Sequence, residues 1–490
     1  MGQEVERREF TREDRQRYRA KVHRCLDVLA QMLSRSSFDF ERPHVGLEIE
    51  LNLVDEDCDP AMRNAEVLDL IADEVFQTEL GQFNLEINMR PVRLIEQGLT
   101  AFEAGLRESL NDAEAKARSI GAHMVIVGIL PTLGEEHLGL NALSANPRYE
   151  LMNEQIFAAR GEDLHLNIEG PEKLDIFAET ILPEAACTST QFHLQVSPEE
   201  FAAYWNAAQC LAAVQVALGA NSPYCFGREL WRETRIALFE QATDTRSDEL
   251  KAQGVRPRVW FGERWITSIW DLFEENARYF PALLPICDDE DPVAVLEAGG
   301  TPSLNELRLH NGTIWRWNRP VYDVVEGTPH LRVENRVLPA GPTIVDTLAN
   351  GAFYYGAVTT LANADRPLWS QLSFGTAAEN FHNAARDGID AIVYWPGLGE
   401  VPVTELVLRR LLALAHDGLE RWGVSAQERD RLLGIVEQRC LTHRNGSQWQ
   451  VEAVHRLQAA GRSRQQALHE MLRRYIELMH SNEPVHSWPD

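Results

Sequence analysis

The stretch H-V-G-L-E-I-E-L-N-L-V at residues 44–54 alternates without a break. Successive side chains of a strand point to opposite faces, so Val45, Leu47, Ile49, Leu51 and Leu53 share one side and Gly46, Glu48, Glu50 and Asn52 the other. Three further stretches repeat the pattern. F-N-L-E-I-N-M-R-P at 83–91 sets Phe83, Leu85, Ile87 and Met89 against Asn84, Glu86, Asn88 and Arg90. S-T-Q-F-H-L-Q-V-S at 189–197 sets Phe192, Leu194 and Val196 against Gln191, His193 and Gln195. H-L-R-V-E-N-R-V-L at 330–338 sets Leu331 and Val333 against Arg332, Glu334 and Arg336. L-H-L-N-I-E-G at 164–170 and N-E-L-R-L-H at 305–310 read the same way, with His165/Asn167 and Glu306/Arg308/His310 on the polar side.

The plain reading is an antiparallel sheet with one face in water. The residue types argue for more. A solvated face is usually rich in Lys and Thr, whereas this one carries Glu, Asn, Gln, His and Arg and no Lys. Glu48 and Glu50 sit two residues apart on one face, roughly 7 Å from each other. Each is a hard oxygen ligand for a cation. Clustered carboxylates raise one another's pKa unless cations or arginines offset them. Arg90, Arg332 and Arg336 supply forks that match phosphate or carboxylate. The set equips a site for an anionic, metal-bridged substrate.

Around these strands the 490-residue chain reads as helical. Tyr18, Val22, Cys25, Leu29 and Met32 recur at helical spacing behind a capping pair, Thr11 and Asp14. Phe102, Leu106, Leu110 and Ala117 do the same, and Ser425–Glu428 and Ser463–Gln466 have capping-box spacing. Strands and helices are interspersed without regular β-α-β alternation, which favours an α+β fold. The expected division is a helical lead-in at 1–38, a catalytic region at 39–400 and a helical C-terminal region at 401–490 packed on the same domain.

Composition narrows the function. The net charge of −27 repels phosphate backbones, which argues against a nucleic-acid partner. No apolar run is long enough to span a bilayer, the N-terminus has no apolar signal core, and a cytoplasmic location is expected. The seven cysteines form no C-x-x-C pair, so reduced thiols are the default. P-loop, G-x-S-x-G and H-E-x-x-H signatures are all missing. Cys187 and Cys225 lie near the polar strands and read as structural rather than as a catalytic thiol.

Five segments, four of them from these strands, resemble the glutamate–cysteine ligase family of plant and bacterial type. They are G-L-E-I-E at 46–50, F-N-L-E-I-N at 83–88, S-T-Q-F-H at 189–193, A-N-S-P-Y-C-F-G-R-E-L-W-R-E-T-R-I-A-L-F at 220–239 and L-R-V-E-N-R at 331–336. They occur in the family's order. The resemblance implies a glutamine-synthetase-like fold whose antiparallel sheet forms an active-site funnel. It implies an ATP-dependent carboxylate–amine ligase that makes an amide through an acyl phosphate, with magnesium or manganese and with a small acid and an amine as substrates. Glu48, Glu50, Glu86, Glu334 and His193 would be metal ligands. Glu48, Glu50, Arg332 and Arg336 would bind the nucleotide, with Arg336 and Glu334 in the catalytic role. Arg235 would hold the acid's α-carboxylate, Asn221, Ser222, Gln191 and His193 would line the substrate pocket, and Gly227 would allow close backbone approach. Asn88 stands where the family often has a further carboxylate, and N-G-T-I-W-R-W-N-R-P at 311–320 has no assigned place. Two other classes use the same residues: a metal-dependent hydrolase or phosphotransferase, and a non-catalytic nucleotide- or metabolite-binding homologue.

Overall fold

The computed structural model describes residues 9–35, 38–40 and 43–490. The first part of the expected lead-in, residues 1–8, and residues 36–37 lie outside the described residues. Seven strands form the main sheet: β1 (Val45–Val54), β2 (Phe76–Thr78), β3 (Asn84–Val92), β4 (His123–Val125), β5 (Ser189–Gln195), β6 (Asn318–Val325) and β7 (Thr328–Pro339). Their order is β6-β7-β5-β1-β3-β2, with β4 against the end of β1, and every pairing is antiparallel. All four stretches with unbroken alternation are strands of this sheet. β1, the most regular of them, is central, and its apolar side is fully buried.

The helices that matter for the site are α1 (Arg12–Arg35), α2 (Pro147–Arg160), α3 (Phe201–Gly219), α4 (Thr234–Ala242) and α5 (Ile344–Ala362). Helices α3 and α5 pack on the apolar face of the sheet. Both are buried on nearly every side, as their Ala-rich, almost uncharged sequences require. They cover one face and leave the polar face to line a cavity. α1 starts at the Thr11–Asp14 cap and buries Tyr18, Val22, Cys25, Leu29 and Met32. The C-terminal stretch is helical, and Ser425 and Ser463 cap two of its helices through Glu428 N and Gln466 N. One apolar core runs from Tyr18 to Trp488. Among the described residues, no helix is long and apolar enough to cross a membrane.

Two stretches depart from the alternation reading. Residues 305–311 form a short helix, not a strand, and bury His310 with its Nε2 donating to Asn276 O at 2.9 Å. Residues 164–169 are a strand, but they pair only with 173–178 in a separate hairpin, where His165 faces Asp175 at 2.8 Å. Six residues cannot distinguish a half-buried strand from two turns of helix.

Candidate active site

Cross-strand register gathers the polar side chains. Glu48 lies opposite Asn88 on β3 and Gln191 on β5, Glu50 opposite Glu86, and His193 opposite Gly46 on β1 and Glu334 on β7. Arg319 on β6 lies opposite Glu334. Pairing of β7 with β5 shifts between Asn335 and Leu338, a bulge that carries Arg336. Above this face are two cavities of about 210 and 150 Å3 that share Glu48, Arg148, Gly312 and Arg319.

One pole is acidic. Glu50, Glu79 and Glu86 each place an oxygen within 4.8 Å of the others. Burial, then the neighbouring Glu48, pushes Glu86 up to about 7. Burial and the charges of Glu86 and Glu50 push Glu79 well above the carboxylate range. Burial also raises Glu50, although Arg336 and the Ser189 N–H work the other way. Glu184, at the edge of the same cavity, is raised to about 8 by burial and by Glu50. Three hard oxygen donors that resist ionising together suit a divalent cation, which would offset their repulsion.

The other pole is held by arginines. Glu334 accepts from Arg319 Nε at 3.0 Å and Nη2 at 2.8 Å, and from Arg336 Nη1 at 2.8 Å. Burial opposes its ionisation, but the two guanidiniums hold it far below the usual carboxylate range. Arg336 Nη1 also donates to Gln191 Oε1 at 3.0 Å, and Gln191 Nε2 donates to Glu50 at 2.9 Å. Gln191 therefore bridges the two poles. Glu50 accepts in addition from Ser189 N at 2.6 Å.

His193 works differently from the expected ligand. Its Nε2 lies 3.0 Å from Glu48 Oε1. Arg332 Nε donates to its Nδ1 at 3.1 Å. An accepting Nδ1 leaves the proton on Nε2, so the ring offers Glu48 a proton and no lone pair for a cation. Burial raises the Glu48 carboxyl, and the imidazole more than reverses this, to about 2. Arg332 is further tied to Asp323 at 3.1 Å.

The segment at 220–239 does not line the cavity. Arg235 is 2% exposed, with Nε on Glu233 at 3.1 Å and Nη2 on Val337 O at 2.6 Å, and its guanidinium lies 5.5 Å from the Trp317 ring centroid. Its guanidinium is spent on the bulge that carries Arg336, and its charge also acts to lower the Glu50 carboxyl. Asn221 is fully buried, donating to Ala340 O and Tyr475 Oη at 2.8 Å each, and Ser222 Oγ accepts from Arg235 N at 3.2 Å. Both are corrections to the expected substrate pocket: the A-N-S-P turn anchors the chain behind β7. Gly227, with φ +76°, sits in a hairpin turn away from both cavities. Arg90 is exposed and lies 3.7 Å from Glu74. Burial pushes the Cys187 and Cys225 thiols up, away from a nucleophilic thiolate.

The structure adds residues the alternation did not reveal. Arg319 and Trp315, from the unassigned 311–320 segment, both line the larger cavity. Arg319 could have been found, since N-R-P-V-Y-D alternates before a turn. Glu79, in a turn after β2, Glu184, on one helical turn, and Arg148, in the first turn of α2, carry no periodic signal.

The sequence profile of glutamate–cysteine ligase family 2 matches residues 44–477. Among solved structures, the glutamate–cysteine ligase of Francisella tularensis in complex with AMP aligns at 11% identity and a TM-score of 0.56, covering 91% of each chain. A bifunctional glutathione synthetase from Pasteurella multocida aligns at 13% identity and a TM-score of 0.54, over 93% of this chain and 55% of that longer one. At such identities these two likenesses speak for the fold. No curated protein matches the sequence.

Proposed function

The chain belongs to glutamate–cysteine ligase family 2 and is a carboxylate–amine ligase forming a C–N bond, and from that premise we propose that it joins a glutamate-like acid to an amine with cleavage of ATP. A carboxylate oxygen of the acid attacks the γ-phosphorus and ADP departs, leaving an acyl phosphate. The amine nitrogen then attacks the acyl carbon, phosphate departs, and the nitrogen loses a proton. No protein nucleophile is needed, so positioning and charge neutralisation carry the catalysis.

Arg336 clamps the transferring phosphoryl group, and Glu334 with Gln191 fixes its direction. Arg319 and Arg332 offer further charge where the cavities meet the nucleotide's phosphates. Glu50, Glu79 and Glu86 would hold magnesium, or manganese, which when bound supplies charge neutralisation for the phosphates. Glu48 and its His193 partner stand between this triad and the arginines. We assign the chemistry to residues 39–400, in a glutamine-synthetase-like funnel, with 9–35 and 401–490 packed around it. A cytoplasmic setting accords with the free cysteines.

The observation that carries this reading is an acidic, cation-demanding triad joined through Gln191 to Arg336 within one cavity, with Glu334 lining the adjoining one. The test is phosphate release across a panel of acids and amines, with mass analysis of the product. Release that requires magnesium, an acid and an amine together is expected. Metal-dependent release without amine would favour a hydrolase, and stabilisation by ATP without any release a binding homologue.

A further inference from the structure

Arg332 sets which nitrogen of His193 carries the proton, so whatever holds Arg332 bears on the site. A guanidinium is a planar fork, and fixing one arm fixes where the others point. Arg332 Nη1 donates to Asp323 Oδ2 at 3.1 Å and to His330 Nε2 at 2.8 Å, while its Nε donates to His193 Nδ1 at 3.1 Å. Asp323 is held in turn by its other oxygen. Oδ1 accepts from Arg308 Nη2, on the short helix 305–311, at 2.6 Å and from Val324 N at 2.9 Å.

An ion pair that only tied the sheet to that helix would need Arg308 alone. The contact with Arg332 carries Asp323 further. Asp323 stands on β6, Arg332 on β7, His193 on β5 and Glu48 on β1, which are four successive strands of the sheet. Each links to the next at 3.1, 3.1 and 3.0 Å. Asp323 also lines the smaller cavity together with Glu48, Glu334, Arg308 and Arg332. By taking both Arg308 and Arg332 it keeps these two guanidiniums from being drawn to Glu48 and Glu334. His330 is a weaker hold on the fork, because a hydrogen bond to a neutral acceptor is roughly half as strong as one to a carboxylate.

We propose that Asp323 is a positioning residue for the ligase reaction, aiming Arg332 at His193 Nδ1 so that the His193 proton stays on Nε2 beside Glu48. This rests on the ligase reading above, in which Glu48 stands between the cation-binding triad and the arginine clamp. Without the Asp323 carboxylate the Arg332 fork turns toward the other anions of the cavity, Nδ1 loses its donor, and the imidazole takes either tautomer.

The test uses the full chain and its D323N and D323E variants, with two readouts. The first is steady-state phosphate release. D323N loses a charged hydrogen bond, so kcat falls about tenfold while the KM for the amine stays within about twofold, and D323E, which keeps the charge, recovers most of the loss. The second is long-range 1H–15N NMR of the histidine rings in 15N-labelled protein, with the His193 signals identified by their absence in H193Q. The wild type shows the Nε2-protonated form, D323N a mixture of both tautomers, and D323E the Nε2-protonated form again. Asp323 is half-buried and Asn is its isostere, so D323N keeps the fold. A lowered thermal midpoint or a lowered kcat with the His193 tautomer unmoved marks a merely structural ion pair and overturns the proposal. A changed tautomer with kcat unmoved overturns it as well. Absence of phosphate release by the wild type is failure of the ligase reading, and the NMR arm then decides the hold of Asp323 on His193 by itself.

Discussion

Replacing Glu86 tests whether the acidic triad is built for a cation. Its carboxyl titrates at about 7, against an ordinary 4.5, because it is buried beside Glu48 and Glu50. A folded-state pKa above the unfolded one contributes stability that is complete below about pH 4.5 and is lost as pH rises through 7. The gap corresponds to about 3 kcal/mol for a group only 4% exposed. Glu184, at about 8, acts in the same direction over a slightly higher range. Glu48, at about 2, acts in the opposite direction, but its contribution is lost only as pH falls through 2. In chelator, the urea midpoint followed by tryptophan fluorescence should fall between pH 5 and 8. Magnesium should restore it at pH 8, because binding to the ionised triad stabilises the native state by mass action. Glu86→Gln removes one repelling charge, so it should flatten the fall in chelator and blunt the magnesium response. A midpoint insensitive to pH in chelator, or equal magnesium responses in wild type and variant, would refute the reasoning.

Three further outcomes follow from the same geometry. Glu334→Gln strands two largely buried guanidiniums, so unfolding stability should drop by about 3–5 kcal/mol and phosphate release should fall with it; unchanged denaturation curves would contradict the clamp. Arg235→Lys cannot reach Glu233 and Val337 O together, so kcat should drop about tenfold while the acid's KM stays within about twofold. A rise in the acid's KM alone would instead restore Arg235 to the substrate pocket. Cys187→Ser and Cys225→Ser should keep turnover within about threefold, since neither thiol is poised to ionise.

The sheet was legible because alternation over seven or more residues specifies both strand and face. β1, β3, β5 and β7 were readable in this way, and so were Glu48, Glu50, Glu86, Gln191, His193, Glu334 and Arg336 on their polar side. What alternation cannot give is which neighbour occupies a polar group. Arg235, Asn221 and Ser222 have the chemistry of a substrate pocket, but Arg235 bonds to Val337 O, Asn221 to Ala340 O and Tyr475, and Ser222 Oγ accepts from Arg235 N. His193 has a ligand's nitrogen, but Arg332, 139 residues away in sequence, decides which nitrogen is free. Glu79 and Glu184 sit on turns without periodicity and enter the site only through tertiary placement. In the short segment 305–311 the strand and helix patterns coincide.

The acyl phosphate is tested most directly by oxygen transfer. The acid is supplied with 18O in its reacting carboxylate, together with ATP, magnesium and the amine that supports turnover, and the released phosphate is analysed by mass. Attack of the carboxylate on the γ-phosphorus, followed by displacement by the amine, predicts one 18O atom in each phosphate. Unlabelled phosphate would mean that water, not the acid, takes the phosphoryl group, and would contradict the account.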